Sequence, residues 1–558
     1  MNKGRKPDET VEFGDFQTPE VLARHVMMLV RKTGFFPATI IEPSCGTGAF
    51  LATAADAYAQ ADLFGLEINP AHCAAARERL SRCGRLTIFE DSFFRFDWPS
   101  LLDQVRRPVL VVGNPPWVTN ADLGALGSRN LPAKSNHGRL KGLDALTGKS
   151  NFDISEFMLL RMVDWLCEVG GALAVLCKLA VARKILAACW TAGIKLAEAR
   201  IHLVDASVHF GAAVQACLLF LRIDGADGGA ECAVFSTLDA ARPERRIGYA
   251  DGSLIADIDA YRIWRQLRAG HAREIRLWRS GIKHDCAAVM ELRLARDGLV
   301  NGMGETVDLE DTYLYPLAKS SDIAGSRSGM PERRILVTQH AIGADTRPIR
   351  DAAPRTWAYL QKHRNRLSAR SSAVYRGKPD FSIFGVGVYS FAPWKIAISG
   401  LYKRLAFKLC TPHGGRPLML DDTVNFLSFA REDEARVVLS LLDSEPARRF
   451  LESMIFWDQK RPITIDLLRR LDIDAVRTVP GAPPNCSHAR VSGAASDVPS
   501  GAYARNALVP GAWLGHCHPE ATGPRDRRDT AQGQALTLVA RARRVIQPID
   551  LTEDPSCR

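Results

Sequence analysis

The stretch Ile40-Ile41-Glu42-Pro43-Ser44-Cys45-Gly46-Thr47-Gly48-Ala49-Phe50 runs from an apolar β-branched segment through a glycine turn into an alanine-rich segment. The first part reads as a buried strand and the last as the start of a helix, with the turn between them tight enough to need glycine. The same rhythm continues outward. From Thr39 to about Ile223 short apolar runs alternate with helical stretches, which is the pattern of a mainly parallel α/β sheet. The strands expected are Thr39–Glu42, Leu63–Ile68, Leu86–Glu90, Val109–Val112, Ala172–Cys177, Arg200–Val204 and Cys217–Ile223. A helix precedes the first strand. Thr18 is placed to cap it, Pro19 suits its first turn, Glu20 complements its dipole and Gly34 follows its end.

With 558 residues the chain is too long for one core, so two or three domains are expected. A net charge of +11 favours a polyanionic partner. The 13 cysteines form no C-x-x-C pair, which argues against a zinc ribbon and leaves most of them as buried small hydrophobes, with no metal expected. Residues 1–6 open basic with no apolar core behind them, so no signal peptide is expected. The most apolar later stretch, from Gly171 to Trp190, is interrupted by Lys178, Arg183 and Lys184, which argues against a membrane span. A cytoplasmic protein follows. Between Gly225 and about Gly270 the periodicity blurs. A second region begins near Trp278, with strand-like alternation in the run Phe381 to Tyr389. From about Pro480 the composition turns to Pro, Gly, Ala, Ser and Arg and reads as disordered.

The chemistry sits where the strands end. Gly46 and Gly48 let a ligand approach the backbone, but the third glycine position of a dinucleotide fingerprint falls on Leu51. Glu42 at the end of the first strand would repel a pyrophosphate and welcome a cationic amino group. Glu67, beside Ile68 at the end of the second, holds the position from which an acid grips ribose hydroxyls. Asp91 ends the third, and with Phe93 it suits an adenine's amino group and ring. Three such acids describe a positively charged nucleoside, the shape of S-adenosylmethionine. Asn114-Pro115-Pro116-Trp117 ends the Val109–Val112 strand. An amide oxygen and a rigid carbonyl there can accept two hydrogen bonds from one planar amino group, while an indole stacks on its ring.

Phe16-Gln17-Thr18-Pro19, the Glu42–Phe50 turn, Glu67, Asp91-Ser92-Phe93 and Asn114–Trp117, in that order, resemble the gamma class of N6-adenine DNA methyltransferases. The resemblance covers roughly the first 225 residues by motif and the later basic region by layout. It implies a Rossmann-like class I methyltransferase domain with a C-terminal mixed α+β target recognition domain. The expected boundaries are 1–270 for catalysis, 271–480 for target recognition and 481–558 for a disordered tail. It also implies that Thr18, Glu42, Glu67 and Asp91 bind S-adenosylmethionine, with Gly46, Gly48, Ile68 and Phe93 completing that pocket. Asn114, Pro115, Pro116 and Trp117 then form the catalytic turn. Trp117 departs from the family's usual Tyr or Phe but can still stack. A later aromatic clamps the flipped base from the other side in this family, and Phe210 in Val204–Phe210 is the candidate. Double-stranded DNA is the implied partner, with any cognate restriction endonuclease a separate chain.

The polar stretch 119–151, with Lys134, Arg139, Lys141 and Lys149, reads as a loop that orders on DNA. In the second region Arg355, Lys362, Arg364, Arg366 and Arg370 lead a basic cluster interleaved with Trp357, Tyr359 and Tyr375, suited to phosphate and base contacts. Lys283-His284-Asp285 reads as a turn with a surface histidine. Pro379-Asp380 lacks the Glu-x-Lys or Asp-x-Lys partner of a nuclease. Rival readings stay open: an RNA methyltransferase acting on a base amino group, a protein glutamine methyltransferase, or a non-catalytic DNA-binding specificity protein on the same fold.

Overall fold

The computed structural model describes residues 17–118, 153–224, 228–270, 277–296, 298–325 and 332–483. Phe16, the 119–151 stretch and the tail from 484 onward lie outside them. The chain divides into two units, the first ending at Ile258 and the second beginning at Asp259.

The first unit is built on one ten-stranded sheet. Its strands are β1 (Thr39–Glu42), β2 (Asp62–Glu67), β3 (Leu86–Glu90), β4 (Val109–Gly113), β5 (Gly171–Lys178), β6 (Glu198–Asp205), β7 (Gln215–Ile223), β8 (Glu231–Phe235), β9 (Arg245–Ala250) and β10 (Ser253–Ile255). The order across the sheet is β3-β2-β1-β4-β5-β7-β6-β8-β9-β10. Strands β3, β2, β1, β4 and β5 are parallel, and β7 runs antiparallel between β5 and β6. This is the Rossmann-like arrangement of class I methyltransferases. The seven strands read from the sequence are all present, each within two residues of its expected ends. The blurred region after Gly225 supplies β8, β9 and β10, which extend the sheet beyond β6. Their alternating, half-exposed pattern at a sheet edge explains why no apolar run announced them.

The central strands are continuous apolar runs because helices cover both faces. Val109, Leu110, Val111 and Val112 of β4 are wholly buried. At about 1.5–3 kcal/mol per buried aliphatic side chain, that strand is anchored firmly enough to hold whatever follows it in place. The helix α1 (Glu20–Lys32) packs Leu22, Ala23, Val26, Met27 and Val30 against this core. Thr18 does not cap it: Pro19 is the flanking residue, and no side-chain cap is formed. Glu20 instead bonds Arg24 within the helix and Arg79 of a later helix, at 2.8 and 2.5 Å. The helix α2 (Ala49–Ala57) follows the glycine turn, and α3 (Pro70–Arg79) is capped by Asn69, which accepts from the Ala71 N–H. After β3 and β4 come α4 (Trp98–Leu102) and α5 (Ile154–Val169), then α6 (Leu179–Thr191) and α7 (Ala206–Phe210).

The second unit is mixed α+β. It holds a six-stranded and a four-stranded sheet, together with helices such as Pro354–Lys362, Glu432–Asp443 and Glu445–Met454. The Phe381–Tyr389 run is not a strand. Phe381 and Gly385 adopt positive φ, a single antiparallel bridge joins Lys283 to Phe384, and the chain turns into a 3-10 helix at Val388. The alternation comes from an irregular segment that buries Phe381, Ile383 and Val386 in the core. Among the described residues no helix is long and apolar enough to cross a membrane.

Candidate active site

Parallel pairing sets the carboxyl ends of β1, β2, β3 and β4 side by side. Register aligns Glu42 with Gly65 and Glu67 with Glu90, so the acids that end successive strands share one edge of the sheet. Gly46 and Gly48 both take positive φ, at 50° and 76°, and Gly48 flanks the start of α2. A Cβ at Gly48 would lie 3.2 Å from the Cβ of Ala76, so neither conformation nor space admits a larger residue there.

Glu42 is 3% exposed. Burial drives its carboxyl well above the ordinary carboxylate range, the Leu51 backbone N–H pulls it part of the way back, and the negative charge of Glu67 raises it further. Its Oε2 is buried with no hydrogen-bond partner among the described residues. An acid held this way at the mouth of a glycine turn fits the ammonium of an S-adenosylmethionine amino-acid moiety, which would supply the missing partner and favour the charged form. Glu67 accepts from the Gly46 N–H at 2.9 Å and the Asn69 N–H at 2.8 Å. A carboxylate has about four lone-pair sites, so it can fix the turn and still accept ribose hydroxyls. Ile68 beside it is half-buried. Asp91, partly exposed, accepts the Ser92 N–H at 2.6 Å. Phe93 is built into an aromatic cluster, 5.5 Å from each of Phe94, Trp98 and Trp165, and keeps only 8% exposure. Thr18 is half-buried. Gln17, which the sequence placed in the Phe16–Pro19 motif without a role of its own, accepts through Oε1 from both the N–H and the hydroxyl of Thr47, at 3.2 and 3.1 Å.

The Asn114–Trp117 turn leaves β4 next to Glu42: a Cβ on Gly113 would sit 3.5 Å from the Glu42 Cγ. Asn114 is half-buried with its side-chain oxygen inside, and Pro115 and Trp117 are buried. Phe210, at the end of α7, meets Trp117 edge to face, with centroids 5.1 Å apart and planes at 71°. The two aromatics named for base stacking are thus in direct contact. Lys178 ends β5, and its Nζ donates to the Trp117 carbonyl at 2.9 Å and to Asp153 Oδ2 at 2.6 Å. The sequence carried a signal for half of this, since Asp153 precedes Ile154-Ser155-Glu156 as a helix cap does. It carried none for the lysine, which reads as an interruption in an apolar run.

The basic cluster of the second unit differs from its linear appearance. Arg355 pairs with Asp308 and Glu310, Lys362 with Glu305 at 2.8 Å, and Arg364 with Asp380 at 2.7 Å. Arg370 is turned inward, donating to the carbonyls of Leu367, His284 and Ser382, with its guanidinium 3.7 Å from the Tyr375 ring centroid. These bonds make Arg370 an internal brace of the second unit. Arg366 is exposed. His284 is likewise no surface residue: it is 7% exposed, its Nε2 lies 3.2 Å from Glu291 Oε1, and its Nδ1 accepts the Cys286 N–H. Tyr359 belongs to the core, its hydroxyl donating to the Val289 carbonyl, and half-buried Trp357 packs against that core.

No family model matches the chain. The type II methyltransferase M.NspV of Nostoc sp. is 44% identical over 479 residues, covering 84% of this chain and 98% of the relative. The type II methyltransferase M.XamI of Xanthomonas campestris pv. amaranthicola is 29% identical over 114 residues, 20% of this chain and 21% of the relative. Among solved structures, the type IIL restriction-modification enzyme MmeI in complex with DNA aligns over 85% of this chain and 74% of its own, at 13% identity and a TM-score of 0.45.

Proposed function

The chain belongs to the type II methyltransferases, and from that premise we propose that it methylates the N6 amino group of adenine within a recognised duplex DNA sequence, using S-adenosylmethionine. The observation that carries the reading is the shared strand edge. It lines up Glu42, Glu67 and Asp91 at the ends of β1, β2 and β3, and β4 pairs with β1, so the Asn114–Trp117 turn starts next to Glu42.

S-adenosylmethionine supplies an electrophilic methyl on a sulfonium. The residues do the rest by placement. Glu42, Glu67 and Asp91, with Thr18, Gly46, Gly48, Ile68 and Phe93 around them, hold the amino-acid, ribose and adenine parts. Adenine's amino nitrogen is a poor nucleophile because its lone pair is delocalised into the ring. The Asn114 amide oxygen and the Pro115 carbonyl accept its two N–H groups and favour a tetrahedral nitrogen with a directed lone pair. The new N–C bond forms as the S–C bond breaks, and the surplus proton leaves to water. Positioning and electrostatics supply the acceleration. The target cannot be reached inside a duplex, so it is turned out at a cost of roughly a few kcal/mol and stacked on Trp117. The Phe210 and Trp117 rings meet edge to face, so an entering base parts them and is then clamped between the two. We assign target recognition to the second unit. There exposed Arg366 is a better phosphate contact than the ion-paired Arg355, Lys362 and Arg364. Asn114→Ala tests the assignment: loss of methyl transfer with S-adenosylmethionine binding retained is expected, and transfer at the wild-type rate would sink it.

A further inference from the structure

We propose that Lys178, neutralised by Asp153, is a positioning residue that fixes Trp117 for the incoming base; the inference rests on the methyltransferase reading given above. Lys178 ends β5, the strand paired with β4, so its ammonium lies at the same sheet edge as the catalytic turn. Two of its three N–H groups are committed, one to the Trp117 carbonyl at 2.9 Å and one to Asp153 Oδ2 at 2.6 Å. The Asp153 side chain is 11% exposed and that of Lys178 24%. Asp153 also caps α5, accepting the Ser155 N–H at 3.1 Å and the Ser155 hydroxyl at 2.5 Å. One residue further on, the Val118 carbonyl accepts the Ile154 N–H at 3.0 Å. A second ion pair, Lys184 to Glu156 at 2.6 Å, ties α5 to α6. The chain leaving the turn and the chain entering α5 are therefore joined through one ammonium, which holds Trp117 by its carbonyl and leaves its ring in contact with Phe210.

A buried ion pair is weak evidence for stability, because desolvation offsets the attraction, and its better-attested use is to fix one arrangement among several. Here the arrangement fixed is that of the stacking residue. The Asn114 and Pro115 acceptors act on the base's amino group only if the ring carrying it lies in the correct plane, and Trp117 defines that plane. Lys178→Met keeps the aliphatic stem and removes both bonds, but it leaves the largely buried Asp153 carboxylate without its counter-charge and can cost the fold. The double variant Lys178→Met/Asp153→Asn removes both charges together, and the amide oxygen introduced at position 153 can still accept the Ser155 N–H as a cap.

The test compares wild type, both variants and Lys178→Arg by thermal denaturation, equilibrium binding of S-adenosylmethionine, and single-turnover methyl transfer to duplex DNA. The double variant is expected to keep its melting temperature and cofactor affinity while its single-turnover rate falls by about a hundredfold, the scale of a misplaced reacting group. Lys178→Arg, which retains charge and donors, is expected to recover most of that loss. A double variant transferring at the wild-type rate overturns the proposal. So does a rate loss matched by equal losses of cofactor affinity and stability, which would make the pair plain scaffolding. A wild-type protein that transfers no methyl to DNA overturns the methyltransferase reading, and this inference with it.

Discussion

Glu42→Gln is expected to weaken S-adenosylmethionine binding by about 10- to 100-fold while stabilising the ligand-free protein above the ordinary carboxylate range. The carboxyl is almost wholly buried, with one oxygen lacking a hydrogen-bond partner among the described residues. Burial raises its folded-state pKa above the value of 4.5 that it has in an unfolded chain. A raised carboxyl favours the folded state when protonated. Its contribution is thus complete below the unfolded value and is lost as pH rises from there through the raised one. Gln is neutral throughout and removes that loss. A cationic ligand reverses the preference, lowering the pKa, so binding expels a proton and affinity rises with pH over the same interval. A charge-assisted hydrogen bond is worth about 1.5–3 kcal/mol. At 1.4 kcal/mol per decade, that gives the factor of about 10 to 100 stated. Titration calorimetry in buffers of different ionisation enthalpy measures both quantities. Wild type should release protons on binding below its raised pKa and Glu42→Gln none. Equal affinity for the two proteins, with no proton release from wild type, would refute the assignment of Glu42 to the ligand's ammonium.

Two further outcomes follow from the geometry. Phe210→Ala leaves the base clamped on one face only. With stacking worth about 1–3 kcal/mol per base, transfer should fall roughly tenfold or more at unchanged cofactor affinity, as read by single-turnover kinetics. Arg370→Ala should destabilise the protein by about 2–4 kcal/mol in denaturant unfolding, because it strips the donor from three carbonyls. The salt dependence of DNA binding should stay unchanged, since that guanidinium contacts no phosphate on this account.

The core of the first unit was legible because its chemistry is local. Strands buried on both faces must be continuous apolar runs, and acids at their ends stand out against them. Glu42, Glu67, Asp91 and Asn114 could be placed in this way, since parallel pairing alone brings their strand ends together. What escaped depends on partners distant in sequence. Nothing near Arg355 announces Asp308, and nothing near Arg370 announces the carbonyl of His284, 86 residues away. A basic run in one dimension became a set of ion pairs and internal braces in three. Lys178 failed to register for the same reason, its acceptors lying 61 and 25 residues earlier. The Thr18 cap was misread one position out, because Pro19 flanks the helix and Glu20 finds Arg24 and Arg79 instead.

Methyl transfer to the amino group of adenine in DNA is read by single-molecule sequencing of DNA from cells expressing the protein, set beside DNA from cells expressing Asn114→Ala. N6-methyladenine is expected at one sequence context throughout the wild-type DNA and none in the variant. Wild-type DNA without modified adenine, while the purified protein carries label from S-adenosylmethionine to RNA or to another base, would contradict it.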